Sequence, residues 1–182
     1  MDYLCSIRID VPGWSSVKIK NQLVRAIETS SKICQYQVKY VRRGRFTLPR
    51  IQRRTKKEVI EVFIQKEINK CFKEFAIIHG LEKKNAPRTS KYKEKKGSHI
   101  EEFLLNLPDN IAGNLAGAFL IYLATQLKKV FEKLIKEKLP KKRNDKNKKD
   151  GEQPPKENEA SPTVQVNIGK ISAGNVIIII NK

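Results

Sequence analysis

The chain has 182 residues, and its 38 lysines and arginines against 19 aspartates and glutamates give a net charge of +19. This charge exceeds what solubility requires and predicts an anionic partner: nucleic acid, an acidic membrane surface or an acidic protein. Three distant cysteines without a CxxC pair argue against a disulfide framework and a zinc site. The N-terminal residues lack the basic start and apolar core of a secretory signal. We therefore expect a cytoplasmic protein, with or without membrane association, and not a secreted one.

Residues 1–54 predict a small basic βαββ unit. Tyr3–Val11 alternates as a strand does, and a helix capped by Ser15 or Ser16 follows Pro12-Gly13. Ile33–Val41 predicts a second strand. An Arg- and Gly-containing turn then leads into a short edge strand, Phe46–Ile51.

Nine lysines and arginines fall between Lys39 and Lys57, close to Tyr36, Tyr40 and Phe46. Arginines beside exposed aromatic rings suit a phosphate backbone and stacked bases. No RNP, KH, helix-turn-helix or zinc-finger pattern is present. A generally basic surface, a nucleic-acid site and an acidic-lipid site therefore all remain open here. The predicted anion-binding residues are Arg42, Arg43, Arg45, Arg50, Arg53 and Arg54.

Residues 55–139 predict a helical region. Thr55 and Glu58 have the spacing of a capping box, which opens a helix with one apolar face. Gly80 is placed to end that helix in the left-handed conformation. Ser98 and Glu101 have the same spacing and predict a short helix, Glu102–Leu107.

The most apolar segment is the predicted helix 110–139. Leu115–Ala124 is apolar on every side except for the Tyr122 hydroxyl, and a lysine-rich amphipathic half follows it. Such a helix is a core helix, a membrane-inserted helix or an interfacial one, and the sequence leaves all three open. For the membrane environments, a GxxxG pair marks a helix contact and lysines meet the headgroups. These residues are Gly113, Gly117, Lys128, Lys129, Lys133 and Lys136.

Residues 140–162 are almost free of apolar side chains and predict a disordered linker. Residues 163–182 predict a β-rich tail, because Val164, Val166 and Ile168 alternate with polar residues and Val176–Ile180 is continuously β-branched. Val176–Ile180 either folds back as a strand of the N-terminal sheet or pairs with another protein or another copy.

The tail sequence VQVNIGKISAGNVIIII resembles the C-terminal amyloid-signalling motifs of prokaryotic immune and conflict systems. In that family an effector domain, often membrane-active, precedes a disordered linker and the motif. The resemblance covers only residues 163–182, and Lys170 and the unbroken Val176–Ile180 run depart from the family's alternation. It implies assembly by templated β-pairing through Val164, Val166, Ile168, Gly169, Gly174, Asn175, Ile177 and Ile179.

The two histidines, His79 and His99, lie in no recognisable catalytic motif, and no phosphate-binding glycine loop is present. We therefore expect no enzyme, no metal and no cofactor. The predicted fold class is α+β. The predicted function is a membrane-directed effector or adaptor that assembles through its tail. The resemblance of the tail implies a role in prokaryotic defence. A basic nucleic-acid-binding protein is the alternative, and a plain interaction module with a buried central helix is the third.

Overall fold

In the part of the chain that the structure describes, three helices and two antiparallel sheets make this an α+β protein. The computed structural model describes residues 2–81, 86–91, 100–109, 111–137, 162–172 and 175–180. The helices are α1 (Ser16–Ser30), α2 (Lys56–Ile78) and α3 (Asn114–Lys136). The strands are β1 (Asp2–Asp10), β2 (Tyr36–Arg43), β3 (Phe46–Arg53), β4 (Arg88–Lys91), β5 (Ile100–Asn106), β6 (Thr163–Ser172) and β7 (Asn175–Ile180).

The main sheet has the strand order β4-β5-β1-β6-β7, with every neighbouring pair antiparallel. The predicted alternation of β1 is confirmed, because Cys5, Ile7 and Ile9 are all buried. The first four elements occur in the predicted β-α-β-β order, but they do not form one unit. β2 and β3 pair only with each other, whereas β1 pairs with β5 and β6, whose buried side chains join those of β1 in one core.

The N-terminus of α2 forms as predicted. The Thr55 hydroxyl accepts from the Glu58 backbone N–H, and the Glu58 carboxylate accepts from the Thr55 backbone N–H at 2.8 Å. Both amides would otherwise lack a helical partner. At the other end, Gly80 adopts a φ of 64°, the left-handed conformation that ends helices and that glycine adopts without steric cost.

Helix α3 is a core helix along one side. Phe119 is fully buried and makes edge-to-face contacts with Phe72 and Phe75, at centroid distances of 6.1 and 5.2 Å. On the same helix, the Tyr122 hydroxyl donates to the Glu74 carboxylate at 2.7 Å, and this hydrogen bond raises the pKa of Tyr122 to about 12. Only a narrow stripe of α3, which includes Ile121, faces solvent. A search of the described helices finds none with the length and hydropathy needed to cross a bilayer.

The predicted helix Glu102–Leu107 is wrong, since all of this segment except Leu107 belongs to β5. Phe103 and Leu105 alternate with more exposed neighbours, and seven residues of β5 pair with β1. Pairing with a central strand outweighs a local helix-start signal, because it satisfies the backbone and buries one row of apolar side chains together. The predicted helical region therefore also contains β4 and β5.

The start of the tail joins the main sheet, whereas the prediction considered only Val176–Ile180 for that place. β6 pairs with β1 from Thr163 to Lys170, and Val164, Val166 and Ile168 are buried in the core. The structure therefore corrects the assignment of these three residues to assembly, because their side chains are enclosed within their own chain. Gly169 is also buried, and Asn175, Ile177 and Ile179 lie in β7, which pairs with β6. Gly174 and nearly all of the predicted linker (140–161) lie outside the described residues, and assembly through the end of the tail stays a prediction.

Candidate nucleic-acid interface

The predicted hairpin forms a two-stranded ribbon, residues 36–53, which we call the arm. Eight residue pairs join β2 to β3, from Tyr36↔Arg53 at the base to Arg43↔Phe46 at the tip. The two-residue turn, Gly44-Arg45, begins with a φ of 60° at Gly44. The primed turns that match strand twist require a positive φ at this position, which explains the glycine. Eight residues per strand give the arm a length of about 27 Å.

Two arginines attach the base of the arm to the rest of the fold. Arg54 Nη1 donates to the carbonyl oxygens of Ile33, at 2.9 Å, and of Tyr36. Arg53 forms an ion pair with Glu28 of α1 at 3.0 Å, and this hydrogen bond and charge raise the pKa of Arg53. Both were predicted as anion-binding residues, and the structure gives each a role in holding the arm. The 3-10 turn Lys32–Cys34 replaces the predicted start of the second strand, so Tyr36 is the first strand residue.

Beyond its base, the arm is not packed against the core. All eight residues of β3 and seven of the eight in β2 are exposed. Large apolar side chains are among them, including Phe46 at 73% exposure and Ile51 at 74%. An isolated two-stranded hairpin is at best marginally stable in water. This exposure makes the arm a candidate contact surface.

The register gives the arm two chemically different faces, because directly paired residues lie on the same side of a ribbon. One set of four cross-strand pairs includes Lys39↔Arg50 and Arg43↔Phe46, and we call it the cationic face. The other set is mainly uncharged, and we call it the apolar face. The cationic face contains Gln37, Lys39, Val41, Arg43, Phe46, Leu48, Arg50 and Gln52. The apolar face contains Tyr36, Val38, Tyr40, Arg42, Thr47, Pro49, Ile51 and Arg53.

Repulsion within the cationic face is its most informative property. Lys39 lies directly opposite Arg50, and like charges in a cross-strand pair destabilise a ribbon. No carboxylate of the described residues forms an ion pair with Arg43, Arg45 or Arg50. The cationic face is therefore suited to an external anion.

The Glu58 carboxylate interacts with Gln37 and Lys39 near the base of this face. The Thr55 backbone N–H and hydroxyl are the main causes that lower the pKa of Glu58. Lys39 and a hydrogen bond from Gln37 act in the same direction. Glu58 therefore links the base of the cationic face to the start of α2. The positive end of the α2 dipole lies at this same terminus.

The residues predicted for membrane contact lie at the start of α3 and along its second half. Gly113 has a φ of 59° and precedes α3, so it does not continue a helical face with Gly117. At Gly117 an added Cβ would meet no atom within 4 Å, so no other described element packs closely there. The predicted lysines lie on the second half of α3: Lys129, Lys133 and Lys136 are exposed and Lys128 is half-buried.

Nothing in the described part of the chain resembles a reactive centre. No group of three or more potential metal ligands occurs among these residues. Burial raises the pKa of the Cys5 thiol, and burial is also the main cause that raises that of Cys71 to about 11. A thiol held protonated is a poor nucleophile. Cys34 is likewise buried and free. His79 stacks against Phe75 at the end of α2, a structural environment.

Comparison of the chain with protein-family models, with curated proteins and with solved structures finds no match.

The sequence missed two features of the arm. The division of the arm into two faces follows from the register of its strands. Counting outwards along each strand from a two-residue turn at Gly44-Arg45 would have predicted that register. Lys39 then falls opposite Arg50 and becomes a site residue. The anchoring role of Arg54 had no comparable signal, because its carbonyl partners depend on the path of residues 33–36.

Proposed function

We propose that this chain is a non-enzymatic nucleic-acid-binding protein that contacts the phosphate backbone through the cationic face of its arm. The observation that carries the proposal is the Lys39↔Arg50 pair, in a stretch (36–57) that has no acidic residue and is followed at the base of the arm by Glu58, which acts on Lys39. A phosphate between these side chains would replace their mutual repulsion by two charge-assisted contacts. Arg43 and Arg45 extend the charge to the tip of the arm.

The dimensions of the arm agree with this role. The major groove of B-DNA is about 12 Å wide and admits a two-stranded β-ribbon. The strands of a ribbon lie about 4.8 Å apart, which leaves room for side chains on each side. Phe46, next to the turn and on the cationic face, can stack on an exposed base or wedge into a base step.

An acidic membrane as the partner of α3, the function that the sequence favoured, has less support. That prediction depended on an apolar helix without an internal partner, whereas Phe119, Leu123 and Leu127 on α3 are each 0% exposed. The exposed lysines of the helix are compatible with acidic headgroups but equally with solvent. Acidic vesicles are therefore a necessary comparison in the experiment below.

The experiment measures binding of the full chain to a labelled duplex and to a single strand by fluorescence anisotropy, over about 50–200 mM salt. The test variant combines Lys39→Gln, Arg43→Gln and Arg50→Gln. The matched control combines Lys129→Gln, Lys133→Gln and Lys136→Gln on α3, which removes the same charge. Because each phosphate contact contributes about 0.9 to the slope of log affinity against log salt, the arm variant should lose about 2 to 3 from that slope. The control should retain most of it.

Equal losses in the two variants would show that binding follows net charge and would exclude the arm as the site. Association with acidic vesicles and with neither nucleic acid would replace the proposal by the membrane function. Tighter binding to the duplex would indicate insertion of the arm into a groove, and tighter binding to the single strand would indicate base stacking.

A further inference from the structure

Phosphate contact through the cationic face leaves the apolar face of the arm without a role. Val38, Tyr40 and Ile51 are 56%, 72% and 74% exposed, and Tyr36 and Pro49 on the same face are also exposed. Phosphates are attracted to the opposite face. We infer that this apolar face is a self-association surface, on which the arms of two copies of this chain pack face to face.

The pairing pattern makes this face a continuous surface. Residue pairs in an antiparallel ribbon alternate between hydrogen-bonded and non-hydrogen-bonded types. Because the two-residue turn is closed by a hydrogen-bonded pair, Arg43↔Phe46, the pairs Val38↔Ile51 and Tyr40↔Pro49 are of the second type. Their Cα atoms are about 4.5 Å apart, the closer of the two spacings, so their side chains pack together.

Pro49 blocks strand addition at the outer edge of β3 and so leaves the apolar face as the surface for a contact between arms. At a non-hydrogen-bonded position the backbone nitrogen points away from the partner strand. The nitrogen of Pro49 therefore lies on the outer edge of β3 and offers no donor to an added strand. This is a known protection of edges against strand addition. The face itself has no such protection.

For two copies packed on this face, the charges favour an antiparallel over a parallel arrangement. The centre of the apolar face is uncharged, and its two arginines lie at opposite ends, Arg42 near the tip and Arg53 at the base. Arg53 is paired with Glu28, so the base is close to neutral. A two-fold axis through the centre places the Arg42 of each copy over the base of the other, next to Glu28. A parallel arrangement would instead bring the two Arg42 side chains together.

The size of the face predicts a weak dimer. A ribbon about 27 Å long and about 10 Å wide covers about 270 Å², well below the roughly 800 Å² per partner of a stable interface. The dissociation constant should therefore lie in the high micromolar range, within reach of the concentrations used below. Two arms packed in this way present their cationic faces on opposite sides. The dimer would then bridge two nucleic-acid segments, and this consequence, unlike the dimer itself, rests on the proposed function.

The test compares two double variants of the full chain by sedimentation equilibrium without nucleic acid, from about 10 µM to about 1 mM. Val38→Thr with Ile51→Thr changes one cross-strand pair on the apolar face. The control, Val41→Thr with Leu48→Thr, changes the neighbouring pair on the cationic face. Threonine is β-branched and favours strands, so the arm should form in both. We expect dimerisation of the wild type, a rise of about tenfold or more in the dissociation constant of the first variant, and a change within about twofold in the control.

Cross-linking gives an independent readout, since Cys5, Cys34 and Cys71 are all buried. Pro49→Cys, near the proposed axis, should form cross-linked dimers with a short bifunctional maleimide, and Leu48→Cys on the opposite face should not. A wild type that stays monomeric at the highest concentration, or equal weakening in the two double variants, would overturn the inference.

A bridging assay separates this inference from the proposed function. Two duplexes with different fluorophores should be brought together by the wild type and not by the Val38→Thr, Ile51→Thr variant. A dimer that binds neither duplex would refute the proposed function alone. Saturable binding of a protein that stays monomeric on the duplexes would refute the self-association alone.

Discussion

We call the helices and the main sheet the body. The body buries large apolar side chains in a core, whereas the arm exposes them to solvent. In the body one continuous core encloses residues from all three helices and from β1, β5 and β6. In the arm, Tyr40, Phe46 and Ile51 are each more than 70% exposed. Burial of apolar area provides most of the stability of a fold, so the body is expected to be stable without the arm. The difference teaches that the composition of a segment does not tell whether its apolar side chains stabilise its own chain or a contact outside it.

The largest expected effect compares the same substitution in the two regions. Phe119→Ala removes a fully buried ring between Phe72 and Phe75, and should lower the free energy of unfolding by about 3–5 kcal/mol. Phe46→Ala on the arm should change it by no more than about 0.5 kcal/mol. Urea unfolding followed by circular dichroism measures both values. Similar losses in the two variants would mean that the arm contributes to the same core.

An intermediate effect is expected where the arm joins the body. Arg54→Gln removes a guanidinium that donates to the carbonyl oxygens of Ile33 and Tyr36, which should cost about 1–2 kcal/mol. The loss should be local, so amide hydrogen exchange should accelerate in β2 and β3 and change little in β1. Arg45→Gln in the turn is the control and should leave exchange at the base unaltered. Uniform acceleration across the body would contradict a local anchoring role.

The smallest effect concerns pH. The hydrogen bonds from Thr55 lower the pKa of Glu58 in the folded state. A lowered pKa stabilises the fold above the ordinary glutamate pKa, and this stabilisation disappears as the pH falls through the lowered value. Glu58→Gln should therefore flatten the acid limb of a plot of melting temperature against pH. Thr55→Ser, which keeps the hydroxyl, should preserve the wild-type limb, and an unchanged limb in Glu58→Gln would show that the capping box contributes no pH dependence.

Features set by neighbouring residues were predictable. The Thr55–Glu58 capping box, the Gly80 helix end and the hairpin turn all form as the sequence indicated. Each depends on backbone hydrogen bonds or φ values within a few residues, so local sequence contains the necessary information.

Features set by distant partners were not predictable in the same way. Ser98 and Glu101 carry the same helix-start signal as Thr55 and Glu58, yet the following residues form β5, because β1 offers seven paired residues and a buried face. The tail is similar, since its alternation fits both a strand of its own chain and a contact with another. Partner availability, not local preference, decided both.

By itself, the sequence determined the strong positive charge, the acid-free stretch of the arm and the capped helix, because these depend on composition and on contacts between near neighbours. Only the tertiary structure decided that β6 pairs with β1, that one side of α3 lies in the core, and that the arm has a cationic and an apolar face. The physical reason is that burial and strand register are properties of pairs of segments. A row of apolar side chains encodes that it needs a partner surface, but not which surface it will meet.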